Sequence, residues 1–175
     1  GDFNADGRMD LVVGSYEYSS STGRAYIFHN DGSIPTTAGT ADVTITGGAA
    51  GDEFSYALAS GDFNADGKTD LVIGSQRYST NVGRAYIFHN DGSIPTTAGT
   101  ADVTITGSAS IFLGLAFSAD DYNTDGRTDL AVGSNGNVYI FYNDGSIPTT
   151  VGTADVTITG SGSDSFSYAF SAGDY

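Results

Sequence analysis

Asp62-Phe63-Asn64-Ala65-Asp66-Gly67-Lys68-Thr69-Asp70 alternates oxygen-bearing side chains with spacers and then turns at a glycine. Asp62, Asn64 and Asp66 stand two residues apart, so their oxygens can converge on one centre. Gly67 permits the turn that returns the Lys68 carbonyl and Asp70 to that centre. Hard oxygen donors with no His or Cys among them favour calcium over zinc or copper. The pattern recurs in register, first as Asp2, Asn4, Asp6, Arg8 and Asp10 and later as Asp121, Asn123, Asp125, Arg127 and Asp129. A single match also reads as an Asx-rich surface turn, whereas three with one internal spacing read as three calcium loops. Arg8, Lys68 and Arg127 hold the seventh position, which is expected to coordinate through its backbone carbonyl while the side chain leaves for solvent. An EF-hand would carry Glu at position twelve between two helices. Val13, Ile73 and Val132 stand there instead, and the flanks read as strands.

Composition narrows the setting. The chain has 175 residues and a formal net charge of −15, which three bound divalent ions would bring to −9. Much of the acidity is therefore local to the loops. The six basic residues are scattered and form no stripe for phosphates, which argues against nucleic acid and against attachment to anionic lipid. There is no cysteine, so disulfides, thiol chemistry and zinc ribbons play no part. No apolar run approaches membrane-spanning length; Ile111 to Phe117 is short and interrupted by Gly114. Loops with few carboxylates on flexible connections bind calcium in the extracellular concentration range, so an extracellular location, secreted or at the cell surface, is expected.

Self-similarity dominates the rest. The acidic loops begin at Asp2, Asp62 and Asp121, and a fourth opens at Asp174. Residues 24–47 and 84–107 are identical letter for letter. The repeats run approximately over 1–52, 53–111 and 112–165, with 166–175 starting another. Each unit offers four extended segments. A β-branched and aliphatic run follows each loop (10–15, 70–75, 129–134). An aromatic-rich run comes next (24–29, 84–89, 138–142) and closes on Asn-Asp-Gly, a turn signal. Ile-Pro-Thr-Thr is expected to carry the link outward, where proline costs no ladder bond. An alternating Val-Thr-Ile-Thr run (42–47, 102–107, 155–160) reads as a half-exposed outer strand. The fourth segment, Glu53 to Ser60, is echoed by Phe112 to Ala119 and Phe166 to Ala172 and leads into the next acidic loop. No helical periodicity is visible, and 25 glycines penalise helices. An all-β fold follows, a β-propeller of four-stranded antiparallel blades, about three of them in this chain.

These residues resemble the FG-GAP repeat found in the propeller of integrin alpha subunits and in bacterial surface proteins. Phe54-Ser55 stands where that family has Phe-Gly, Gly61 to Gly67 resembles its calcium segment, and Leu71 to Ser75 stands where it has Gly-Ala-Pro. The resemblance implies an integrin-like propeller with calcium at the hairpin between the first and second strands of each blade, on the face away from the ligand side. It makes calcium structural. Electrostatics points the same way, since the carboxylates gathered in each loop repel one another until a divalent cation neutralises them. Chelation is therefore expected to lower the melting temperature.

Other chemistry is less well supported. His29 and His89 hold matching positions where the third unit has Tyr142, so packing or hydrogen bonding is expected there rather than catalysis. Tyr16, Glu17, Tyr18, Arg77 and Tyr78 fall in links where near-identical units differ, which makes them candidate contacts for a protein or carbohydrate ligand. The leading expectation is a non-enzymatic binding, adhesion or structural module. Its rivals are the propeller of a secreted enzyme acting on polysaccharide or lipid, and a self-assembling surface filament. The chain opens inside an acidic loop, and Phe166 to Asp174 reads as a spare first strand. Two alternatives follow: a piece of a longer polypeptide, or copies joined head to tail.

Overall fold

A computed structural model describes residues 1–161 and 165–173. The fourth acidic loop, expected at Asp174, lies outside the described residues. Each apolar run that follows an acidic loop forms a strand of an antiparallel meander, the second rung in the two four-stranded sheets and the edge strand in the three-stranded one. The first sheet holds β1 (Leu11–Ser15), β2 (Arg24–Phe28) and β3 (Val43–Thr46). The second holds β4 (Phe54–Gly61), β5 (Asp70–Ser75), β6 (Arg84–Phe88) and β7 (Val103–Thr106). The third holds β8 (Phe117–Asp120), β9 (Asp129–Ser134), β10 (Asn137–Phe141) and β11 (Val156–Thr159). Neighbours in sequence are neighbours in each sheet, so these are propeller blades.

Period-2 alternation gives every blade two apolar faces. In the first blade one face carries Val12, Ala25, Ile27, Val43 and Ile45, a set fixed by the pairings Val12 with Ile27, Ala25 with Ile45 and Ile27 with Val43. It packs against Leu71, Ile73, Tyr86 and Phe88 of the second blade. The second blade repeats this with Val72, Ala85, Ile87 and Ile105 against Leu130, Val132 and Phe141 of the third. The Ile-Pro-Thr-Thr link does not simply leave for solvent. Ile94 and Ile147 are buried in these two inter-blade cores, because the connection folds back and lays its isoleucine over the neighbouring blade. Thr96 and Thr149 then accept the N–H of Thr46 and Thr106 across the same junctions, each at 3.0 Å.

The inner strands reveal why Phe-Gly is a useful pair. Phe54, almost fully buried, wedges beside Gly47 of the preceding blade, and Leu113 sits the same way beside Gly107. The residue after the wedge needs a left-handed backbone: Gly114 has φ +93°, Ser55 +72°. Ser55 offsets that strain by accepting the Ser15 N–H at 3.0 Å and donating to the Arg24 carbonyl at 2.8 Å. The third echo differs from expectation. Residues 165–173 form turns and bends with no strand. β4 and β8 become strands by pairing with β5 and β9, and no later strand stands beside 165–173 among the described residues.

Two predictions follow. At Gly74 a Cβ would overlap the Gly114 carbonyl, whereas at Gly99 it would meet nothing within 4 Å. Gly74→Ala should cost about 3 kcal/mol in urea unfolding, and Gly99→Ala less than about 0.5 kcal/mol. Burial pushes the Tyr86 hydroxyl up to about 12 from 10.0. The fold thus favours the neutral ring, a contribution fully present below pH 10 and lost as pH rises toward 12. Tyr86→Phe should flatten the alkaline fall of the unfolding free energy over that window.

Candidate metal centre

The three acidic loops adopt one conformation, set by side chains bonding to their own backbone. In the second loop the Asp66 N–H points at Asp62 Oδ1 (3.1 Å) and Asn64 Oδ1 (3.0 Å), so these two oxygens converge on one spot. Gly67 N–H donates to Asp62 Oδ2 and Lys68 N–H to Asp66 Oδ1, both at 2.9 Å. The same four bonds close Asp2 to Arg8 and Asp121 to Arg127. Tight curling puts the spacers Ala5, Ala65 and Thr124 in the left-handed region, at φ 60°, 59° and 62°. For a β-branched threonine that is a strained position, and such strain concentrates at functional turns.

The ninth-position carboxylates behave differently from the others. Asp70 is fully buried, with Oδ2 accepting the Phe63 N–H and Oδ1 the Asn90 N–H, each at 2.8 Å. Burial pushes its pKa up, and these two backbone donors pull it back. Asp10 binds Phe3 and Asn30 in the same manner, and Asp129 binds Tyr122 and Asn143. Each thus ties the acidic loop to the turn after the second of the two strands that follow it. Among the described residues no three acidic or histidine side chains gather into a closed cation cluster.

The donor set is nonetheless suited to a hard cation. Each loop aligns one carboxylate and one carboxamide oxygen with a second carboxylate two residues on, and each carboxylate oxygen keeps a lone pair beside its single N–H bond. The seventh-position side chains were expected to leave for solvent, and they do so only in part. Lys68 Nζ folds back to Asp66 Oδ2 at 3.4 Å, and Arg127 Nη1 donates to the Asn143 carbonyl at 3.2 Å. The stems are long enough to return to the nearest acceptor. Asp66 is held below the usual carboxylate range, chiefly by the Lys68 N–H and then by the Lys68 ammonium.

Asn90 and Asn143 were read in sequence only as turn residues, and they do more. Both are buried, and each reaches into the preceding blade: Asn90 Nδ2 donates to the Phe3 carbonyl at 2.9 Å and Asn143 Nδ2 to the Phe63 carbonyl at 2.8 Å. Their recurrence before the Asp-Gly that follows each aromatic-rich strand was the visible signal, masked because a turn already accounts for Asn there. Together these bonds make one thread from Asp10 through Phe3, Asn90, Asp70, Phe63 and Asn143 to Asp129.

With this geometry the protein falls into the class of bladed β-propellers that carry an acidic loop at one hairpin of each blade. Residues 2–73 match the FG-GAP-like repeat. Integrin alpha-PS5 of Drosophila melanogaster is 32% identical over 151 residues, covering 81% of this chain and 15% of that protein. Human integrin alpha-7 is 31% identical over 110 residues, covering 58% and 9%. The phosphatidylinositol-glycan-specific phospholipase D of Rattus norvegicus is 34% identical over 151 residues, covering 76% and 17%. The chain belongs to the FG-GAP-like repeat family. It spans less than a fifth of the length of these relatives.

Asn90→Leu leaves the buried Phe3 carbonyl without its donor, and should cost about 1–3 kcal/mol. Asn30→Leu, at the matching but half-exposed position of the first blade, should cost less than half as much. Denaturant unfolding of the two variants gives the comparison.

Proposed function

We propose that this chain is a calcium-braced propeller module of an extracellular or cell-surface protein, acting by binding rather than by catalysis. The observation that carries it is the threefold repetition of one acidic loop conformation at one end of the blades. In each loop the first, third and fifth side chains would hold the ion (Asp62, Asn64 and Asp66 in the second). The Lys68 carbonyl and the remaining lone pairs of Asp70 would complete the set, as would those of Arg8 and Asp10 or Arg127 and Asp129. Calcium there supplies positive charge that relieves carboxylate repulsion and locks strand one to strand two.

The opposite ends of the strands support the binding reading. The links after β1 and β5 place Tyr16, Glu17, Tyr18 and Arg77 at the surface, and Tyr16, Glu17 and Arg77 hold positions where the first two units differ. Tyr16 and Tyr56 form a tilted ring pair with centroids 5.3 Å apart. Such a surface suits a protein or carbohydrate ligand. One acid that breaks the repeat, Glu53, is committed: it is nearly buried, paired with Arg77 Nε at 3.0 Å and bonded to Gln76 Nε2 at 2.6 Å. His29 and His89 recur with the repeat, as packing positions do. The similarity to a phospholipase D favours one second reading, a propeller that accompanies a lipid-acting enzyme.

Melting in calcium and in excess chelator tests the brace. Saturating a site at one hundred times its dissociation constant stabilises a fold by about 2.7 kcal/mol, so three sites should raise Tm by well over 10 °C. Asp62→Ala with Asn64→Ala should remove part of that rise. An identical Tm in both buffers would refute the calcium role.

A further inference from the structure

The two inter-blade junctions share their apolar packing and differ at the end away from the acidic loops. Where the first blade meets the second, a cleft of about 280 Å³ opens there, lined by Tyr78, Arg84, Tyr86 and Thr104 of the second blade and by Gly48 and Asp52 of the link leading into it. The Arg84 guanidinium lies 3.7 Å from the centroid of the Tyr78 ring, and its Nε donates to Thr106 Oγ1 at 3.0 Å. These two contacts fix the plane of the fork. Among the described residues no carboxylate oxygen comes within 4.0 Å of it. Asp52 is half-buried and anchored through its backbone, its carbonyl accepting Ser75 Oγ at 2.7 Å and the Arg77 N–H at 3.3 Å. Burial pushes its carboxyl up, while the Ser79 N–H and the Arg84 charge pull it down. One small cleft thus holds a charged donor and a charged acceptor, each anchored and neither paired with the other.

Stacking the blades does not require this pair. At the second junction Ile111 takes the place of Asp52, its carbonyl accepting the Asn135 N–H as that of Asp52 accepts Arg77. Asn137 takes the place of Arg84, each opposite the serine that closes the preceding strand. The shorter link there has no counterpart of Tyr78. Yet Val132, Phe141 and Ile147 are as deeply buried as Ile73, Phe88 and Ile94. Arg24 lies over Tyr18 at 3.8 Å, so the stack comes with the longer link, and Asp52 is what turns it into a donor and acceptor pair.

That pair selects the ligand by charge. A carboxylate or phosphate that approached Arg84 would be repelled by Asp52, and a cation that approached Asp52 would be repelled by Arg84. A hydroxyl both donates and accepts, so two neighbouring hydroxyls on one ring satisfy both groups at once. Ala98 and Ala101 add apolar wall for the C–H face of such a ring. The volume suits a single ring rather than a folded polypeptide. We propose that this cleft binds one neutral sugar ring, Arg84 donating to one hydroxyl and Asp52 accepting from its neighbour. The assignment rests on the reading of this end of the strands as a ligand surface, and names the site and the ligand class there.

Saturation-transfer NMR and calorimetry of the intact protein test it, with the methyl glycosides of glucose, galactose, mannose and fucose and with methyl glucuronide as probes. At least one neutral glycoside should bind, and the glucuronide should bind more weakly than the glucoside. Asp52→Asn, which keeps an acceptor for the Ser79 N–H, and Arg84→Met should each weaken binding by at least about tenfold, the effect of losing a charge-assisted hydrogen bond. Circular dichroism should stay unchanged, and should Arg84→Met disturb folding, Asp52→Asn decides alone. Asn137→Met, at the matching position of the second junction, should leave affinity as it is. Failure of every neutral glycoside to bind, or preference for the glucuronide, would overturn the assignment. Sugar binding that survives Asp52→Asn and is lost with Tyr16→Ala would overturn the cleft and leave the wider ligand surface standing. Melting in calcium and in chelator reads the brace separately, so the two can fail independently.

Discussion

The fold depends on a carboxylate out of water that bonds two backbone amides. Asp70 and its counterparts Asp10 and Asp129 sit where the acidic loop ends, and each holds that loop to the turn two strands further on. A buried carboxylate is costly unless such donors meet it, and at Asp70 they do so at 2.8 Å on both oxygens. Because Asn90 and Asn143 extend the same bonding into the preceding blade, the hairpins of successive blades are set relative to one another by polar contacts. Apolar packing supplies the drive to stack, and this thread supplies the register.

Glycine and serine set the spacing between blades. Gly74 lets the carbonyl of Gly114 approach the sheet, and Gly14 does the same for Ser55. Where the sequence uses serine for the left-handed residue, the hydroxyl stitches the inner strand to Ser15 and Arg24. The Phe-Ser variation is therefore an alternative solution to one steric problem, with a hydrogen-bonding side chain offsetting lost backbone freedom.

Much of this was legible in the chain itself. The strand runs, the meander order and the triplicated acidic loop follow from alternation and spacing, since a period of two and an aspartate every second residue have few other meanings. Three things were hidden. Ile94 and Ile147 look like loop residues next to proline, and only the neighbouring blade explains their burial. Asn90 and Asn143 look like turn residues, because the local role is sufficient and the long-range one is invisible to spacing. Asp70 reads as one more ligand in a row of acids. Its burial, which separates it from exposed Asp66, arises from packing that no single loop encodes.

Junctions built from one repeated set of contacts have an evolutionary corollary. A duplicated or deleted unit would meet flanking units that already carry the matching isoleucines, glycines and asparagine, so a change in copy number needs no redesign at either seam. The exact duplication of 24–47 at 84–107 leaves the two units interchangeable over that span. Recombination between such stretches would alter the size of the assembly in whole-blade steps, and the links at the opposite end could diversify while the scaffold stayed the same.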